Sequence, residues 1–112
     1  MLGIIGAMDE EVAMIKAQLT DVQVETRAAM DFYKGKLEGK EVVVVRSGIG
    51  KVNAAMCTQI LADIYGVTGV VNTGIAGSLK AEIDIGDIVL SSDAVQHDMD
   101  ATGFGYEPGQ IP

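Results

Sequence analysis

Residues 1–15, MLGIIGAMDEEVAMI, read as a strand, a tight turn and the opening of a helix. Leu2–Ile5 is a short apolar run, Gly6–Ala7 supplies the turn, and a helix is expected from about Asp9 to Leu19. At about 100° per residue, Met8, Val12, Ile15 and Leu19 share one stripe, the face that should be buried. On the same wheel Glu10 points almost opposite the stripe, Asp9 lies at its side, and Glu11 sits roughly 70° from its centre. Of the three acids, Glu11 alone is expected to be half-buried, beside Met8. All three can complement the positive end of the helix dipole, for about 0.3–1 kcal/mol each. A glycine turn at the carboxyl edge of a sheet is also a common place for ligands to bind. Glu11 therefore has two readings, a cap and a catalytic carboxylate.

Working outward, Val22–Met30 and Phe32–Leu37 are strand-like segments divided near Asp31, and Glu38, Gly39 and Lys40 supply a polar hairpin turn before Glu41–Arg46. Together they predict an antiparallel meander. Val42–Val45 is apolar on both faces, which puts that strand inside the sheet. It ends at Ser47, Gly48, Ile49 and Gly50, and Lys51–Tyr65 reads as a second helix. Asn53, Cys57, Ile60 and Ile64 share a face of this helix, with Leu61 beside them and Gly66 as its stop. Gly69–Asn72 is expected as a buried strand, followed by Thr73, Gly74, Ile75, Ala76, Gly77 and Ser78. Asp84–Asp87 turns into a strand over Ile88–Val95, and from Gln96 onward the chain is a loop.

A chain of 112 residues makes one domain at most. Eight basic against 16 acidic side chains give a net charge of −8, which argues against a nucleic-acid surface or an anionic membrane as partner. No apolar stretch approaches the ~20 residues of a membrane span, and Met1 leads into a strand with neither a basic segment nor a cleavage site. A cytoplasmic protein is expected. Cys57 stands alone, so no disulfide framework and no zinc ligand set is formed.

Fourteen glycines sit mainly at strand ends and in the carboxyl-terminal loop, where a missing Cβ lets the main chain come close to a ligand or turn tightly. Gly48 and Gly50 match only the first two glycines of a dinucleotide fingerprint. The same stretch fails as a phosphate-binding P-loop, because Val52 follows Lys51 where Ser or Thr is required and Val45 stands at the first glycine. His97, Asp98 and Asp100 lack further ligands to complete a metal shell, and loop hydrogen bonding accounts for them better. Phe104 and Tyr106 flank Gly105, where rings can cover a ligand or meet a second chain.

Five blocks, GIIGAMDEEV at 3–12, RSGIGKVNAA at 46–55, NTGIAGSL at 72–79, GDIVLS at 86–91 and HDMDATGFGYEPGQIP at 97–112, together resemble the 5′-methylthioadenosine/S-adenosylhomocysteine nucleosidases, within the nucleoside phosphorylase-like superfamily. The resemblance runs from first residue to last. It implies an α/β fold, a mixed central sheet with flanking helices, and hydrolysis of the N-glycosidic bond of either nucleoside to adenine and a thioribose, without cofactor or metal. Glu11 corresponds to the carboxylate that activates the attacking water, the same acid that the helical wheel separates from its neighbours. Met8 and Ile49 match positions near the ribose and its thio substituent, and Ile75, Ala76 and Gly77 match the loop beside purine and sugar. Some members carry Ser where Ile75 stands, so a hydroxyl contact there is missing. Phe104 and Pro112 match residues that reach across a homodimer to close the neighbour's alkylthio pocket.

Family members are about twice this length, and the resemblance assigns to their second half the aspartate that protonates adenine and the Met and Glu that grip the ribose hydroxyls. Residues 1–112 are accordingly expected to be the N-terminal half of a single nucleosidase domain, an incomplete domain inactive alone. A purine nucleoside phosphorylase, a futalosine-type hydrolase and a non-catalytic dimerisation module are the alternatives. Phosphorolysis would need a cationic site, for which Arg46 is the candidate.

Overall fold

The computed structural model describes residues 1–112, which fall into two units, Met1–Ala76 and Gly77–Pro112. The first unit carries β1 (Leu2–Gly6), α1 (Asp9–Ala17), β2 (Thr20–Arg27), β3 (Met30–Leu37), β4 (Lys40–Arg46), α2 (Lys51–Asp63) and β5 (Gly69–Asn72). Its five strands form one sheet in the order β2-β3-β4-β1-β5. The meander β2-β3-β4 is antiparallel, whereas β1 runs parallel to both β4 and β5. The sheet is mixed, as expected.

Val42–Val45 explain the layering. All four are buried, and successive side chains of a strand point to opposite faces. Val42 and Val44 pack with Ile4 and Val12 on the α1 side. Val43 and Val45 pack with Ile5, Phe32, Cys57 and Leu61 on the α2 side. One helix thus covers each face, and four consecutive apolar residues are needed because neither face is solvent. Gly3 permits the close approach of α2, since a Cβ there would stand 2.8 Å from the Leu61 side chain. Tyr65 closes this layer by stacking on Phe32, with ring centroids 5.2 Å apart.

The β3–β4 turn falls at Glu38 and Gly39, both at positive φ. The β2–β3 turn falls two residues before Asp31. It is made by Ala28 and Ala29 at φ of 49° and 60°, so that Asp31 belongs to β3 and pairs with Thr26. Alanine carries no turn signal, and only the backbone reveals this pair. Both helices end two residues earlier than expected, at Ala17 and Asp63. The buried stripe of α2 runs through Cys57 and Leu61, and Ile64, its C-cap residue, is exposed. β5 is an edge strand whose Val70 and Val71 are exposed, instead of the buried strand expected there.

In the second unit the expected strand at Ile88–Val95 does not form. Ile88 and Leu90 are 89% and 90% exposed, and a run of strand-favouring residues without a ladder partner gains nothing from extending. Its one regular element is a 3-10 turn at Thr102–Phe104. Asp100 organises that turn by accepting hydrogen bonds from the Thr102 amide (3.0 Å) and hydroxyl (2.6 Å), which hold its carboxyl below the usual carboxylate range. Gly109, at φ of 79°, brings the loop back on itself: its amide donates to the Met99 carbonyl, and its carbonyl accepts from the Gln96 amide.

Candidate active site

The three parallel strands β4, β1 and β5 end side by side. The Ser47 amide donates to the Gly6 carbonyl at 2.9 Å, and the Thr73 amide donates to the Ile5 carbonyl at 2.8 Å. The loops leaving all three strands therefore start from one edge, the carboxyl edge at which α/β sheets bind ligands. The loop after β1 carries Met8 and leads to Glu11, that after β4 carries Ile49, and that after β5 carries Gly74, Ile75 and Ala76.

Glu11 is the acid that faces inward. It is half-buried, whereas Asp9 and Glu10 are exposed, as the wheel predicts. Its Oε2 accepts the Ala7 amide at 2.7 Å and the Met8 amide at 3.0 Å. The bond to Met8, the N-cap residue, is the returning half of a capping box. The bond to Ala7 is additional, and fixes the carboxylate against the turn as well as the helix. Two glycines make room for it. A Cβ on Gly6 would stand 2.7 Å from Val12 Cγ1 and 3.0 Å from Glu11 Cβ, so Gly6 lets α1 settle on the strand end. A Cβ on Gly74 would stand 2.6 Å from Glu11 Oε1. The sequence marks Gly74 only as a strand end; its contact with Glu11 depends on β5 lying next to β1, which no local pattern encodes.

Asp9 has a different task. Its carboxylate lies 3.5 Å from Arg46 Nη1 and 3.7 Å from Lys16 Nζ, and Lys16 rests 4.6 Å from the centroid of the Tyr33 ring. This network, with Asp9 and Arg46 exposed and Lys16 half-buried, ties the first residue of α1 to the end of β4 at the modest strength of surface pairs, about 0–1 kcal/mol. In the β4 loop the Asn53 side chain donates to the Ile49 carbonyl at 2.8 Å, and the Ser47 hydroxyl donates to the Gly48 carbonyl at 2.8 Å. Ile49 and Ile75 are 75% and 88% exposed, apolar side chains presented from the loops that flank β1. Gly77, Phe104 and Pro112 lie in the second unit, where Phe104 is 87% exposed.

Comparison with known proteins fits this geometry. A 5′-methylthioadenosine/S-adenosylhomocysteine nucleosidase of Marinomonas sp. (strain MWYL1) is 53% identical over 112 residues, which make up all of this chain and 48% of that protein. The crystal structure of a nucleosidase of the same kind from Colwellia psychrerythraea 34H, in complex with adenine, superposes with a TM-score of 0.96 at 53% identity, covering 99% of this chain and 46% of that one. The futalosine hydrolase of Helicobacter pylori strain 26695 is more distant, with a TM-score of 0.88 and 35% identity over 99% of this chain and 48% of its own. The chain spans about half the length of the curated relatives it matches. The model of the phosphorylase superfamily matches residues 1–112, every position of the chain. On that match, together with the mixed sheet and the loops gathered at its carboxyl edge, the chain belongs to the phosphorylase superfamily.

Proposed function

We propose that residues 1–112 form the N-terminal half of a single nucleosidase domain that hydrolyses the N-glycosidic bond of 5′-methylthioadenosine and S-adenosylhomocysteine. The observation that carries this reading is the Glu11 carboxylate, held by two backbone amides at the carboxyl edge of the sheet. Identity of 53% to a nucleosidase of that specificity supports the choice of substrates. In the reaction Glu11 takes a proton from water as the water oxygen bonds to the anomeric carbon. The bond from that carbon to the purine nitrogen breaks, and its electron pair leaves with adenine. The sugar passes through an oxocarbenium-like state, so a base on one face must be matched by an acid on the other. That acid belongs to the second half of the domain. Met8 and Ile49 flank the ribose and its thio substituent, and Ile75, Ala76 and Gly77 form the loop beside purine and sugar. Phe104 and Pro112 close the alkylthio pocket of the neighbouring subunit in a cytoplasmic homodimer.

Phosphorolysis would require a cationic phosphate site, for which Arg46, paired with Asp9 at 3.5 Å in an exposed ion pair, is the candidate. The test is a chimera joining residues 1–112 to the remaining part of the Marinomonas relative, assayed for adenine release from methylthioadenosine with and without phosphate. The chimera is expected to release adenine without forming ribose 1-phosphate, and the 112-residue chain alone to release none. Glu11→Gln should lower the chimera's kcat by about 10²–10⁴-fold, the usual contribution of a general base. A Glu11→Gln chimera of undiminished rate overturns the assignment.

A further inference from the structure

We propose that Gly74 is a positioning residue for Glu11, setting where the carboxylate oxygen Oε1 stands; the catalytic side of this rests on Glu11 being the base that activates water. Nothing in the backbone asks for glycine here, because Gly74 is not among the residues at positive φ, and it is exposed. What excludes a side chain is Glu11 itself. A Cβ at position 74 would meet Glu11 Oε1 at 2.6 Å, Cδ at 3.1 Å and Oε2 at 3.5 Å, with no other atom closer. The three nearest atoms all belong to one carboxylate.

Gly6 makes a useful contrast. An added Cβ there would strike Val12, which is fully buried, and the first carbon of the Glu11 side chain, so the packing of α1 would have to give. At Gly74 the obstacle is the far end of a flexible side chain, which can swing away at little cost to the fold. Swinging away, however, would draw Oε2 off the Ala7 and Met8 amides that now hold it at 2.7 and 3.0 Å. A methyl group at position 74 thus leaves the scaffold intact and misplaces the base by roughly 1 Å, the difference between 2.6 Å and an ordinary nonbonded contact of 3.4–4 Å. Displacements of this size cost about 100-fold in rate when they fall on a reacting group.

Two measurements test the assignment. In the 112-residue chain, Gly74→Ala should shift the NMR signals of the Glu11 carboxyl carbon and of the Ala7 and Met8 amides. Gly103→Ala, at a glycine with nothing within 4 Å of an added Cβ, should leave them in place. If Gly74→Ala does not fold, the double variant Gly74→Ala/Glu11→Ala should, since the obstructing carboxylate is gone. In the chimera, Gly74→Ala should lower kcat about 100-fold, change KM less than about threefold, and add nothing to the loss caused by Glu11→Gln. Unmoved Glu11 signals, a double variant that stays unfolded, or a Gly74→Ala loss that persists in full in the Glu11→Gln background each overturns the positioning role. Shifted signals in the chain beside an unsubstituted chimera that folds but releases no adenine would instead refute the nucleosidase reading and leave the Gly74–Glu11 dependence standing.

Discussion

Val42–Val45 and Ile88–Leu90 are nearly equivalent as words in the sequence, yet the first is a buried strand and the second is exposed chain without regular structure. The difference lies in their neighbours. β4 is paired on both sides, by β3 and β1, and covered on both faces, whereas residues 88–90 belong to no ladder. Strand propensity describes a fit to a pleated, covered surface, and where that surface is absent the same residues have no reason to extend.

The largest expected effect tests that contrast directly. Phe32→Ala, removing a fully buried ring that stacks on Tyr65, should cost about 3–5 kcal/mol in urea unfolding. Leu90→Ala should cost less than about 0.5 kcal/mol. Equal losses would show that Leu90 is covered as completely as Phe32.

A second, intermediate effect reads the same burial through acidity. The Cys57 thiol is fully buried, and burial pushes its pKa from 9.0 up to about 11. The folded state then holds the thiol proton more tightly than the unfolded state, so the stability that this contributes is complete below pH 9 and is lost as pH rises toward 11. The loss should be on the order of 2 kcal/mol. Cys57→Ala should flatten that part of the curve; an unchanged slope would place the thiol in contact with solvent.

The smallest effect concerns a turn that the sequence hides. Ala28 and Ala29 occupy left-handed backbone, at φ of 49° and 60°, which is unfavourable for a residue with a Cβ by about 1–2 kcal/mol each. The paired substitution Ala28→Asn with Ala29→Gly should raise stability by about 1 kcal/mol, measurable as a shift in the urea midpoint. No gain would mean that the hairpin holds the strain at no cost to the folded state.

What could be read from residues alone follows the same division. β1, its glycine turn and α1 were legible because apolar period, turn residues and acidic first turn agree, and the wheel already separated Glu11 from Asp9 and Glu10. The β3–β4 hairpin was legible because Glu38 and Gly39 sit in a polar, glycine-bearing turn, whereas the Ala28–Ala29 turn was not, since alanine is a helix former. Ile88–Val95 misled for the reason given above: period and propensity report a possible surface, and pairing decides whether it exists. At the candidate site the carboxylate was visible, but the space that Gly74 leaves for it arises from strands that are neighbours in the sheet and distant in the chain.

The strand order β4-β1-β5 also carries a consequence for the time course of folding. Leu2 pairs with Val42 and with Gly69, so during synthesis β1 waits some 40 residues for one partner and nearly 70 for the other. The meander β2-β3-β4, closed by two-residue turns, can form as soon as it is synthesised, while β1 must be recruited across a long loop whose closure is entropically costly. Glu11, held by the amides of its own turn, comes to lie against Gly74 only once β5 has joined β1, which makes completion of the carboxyl edge a reporter for the slowest pairing in the sheet.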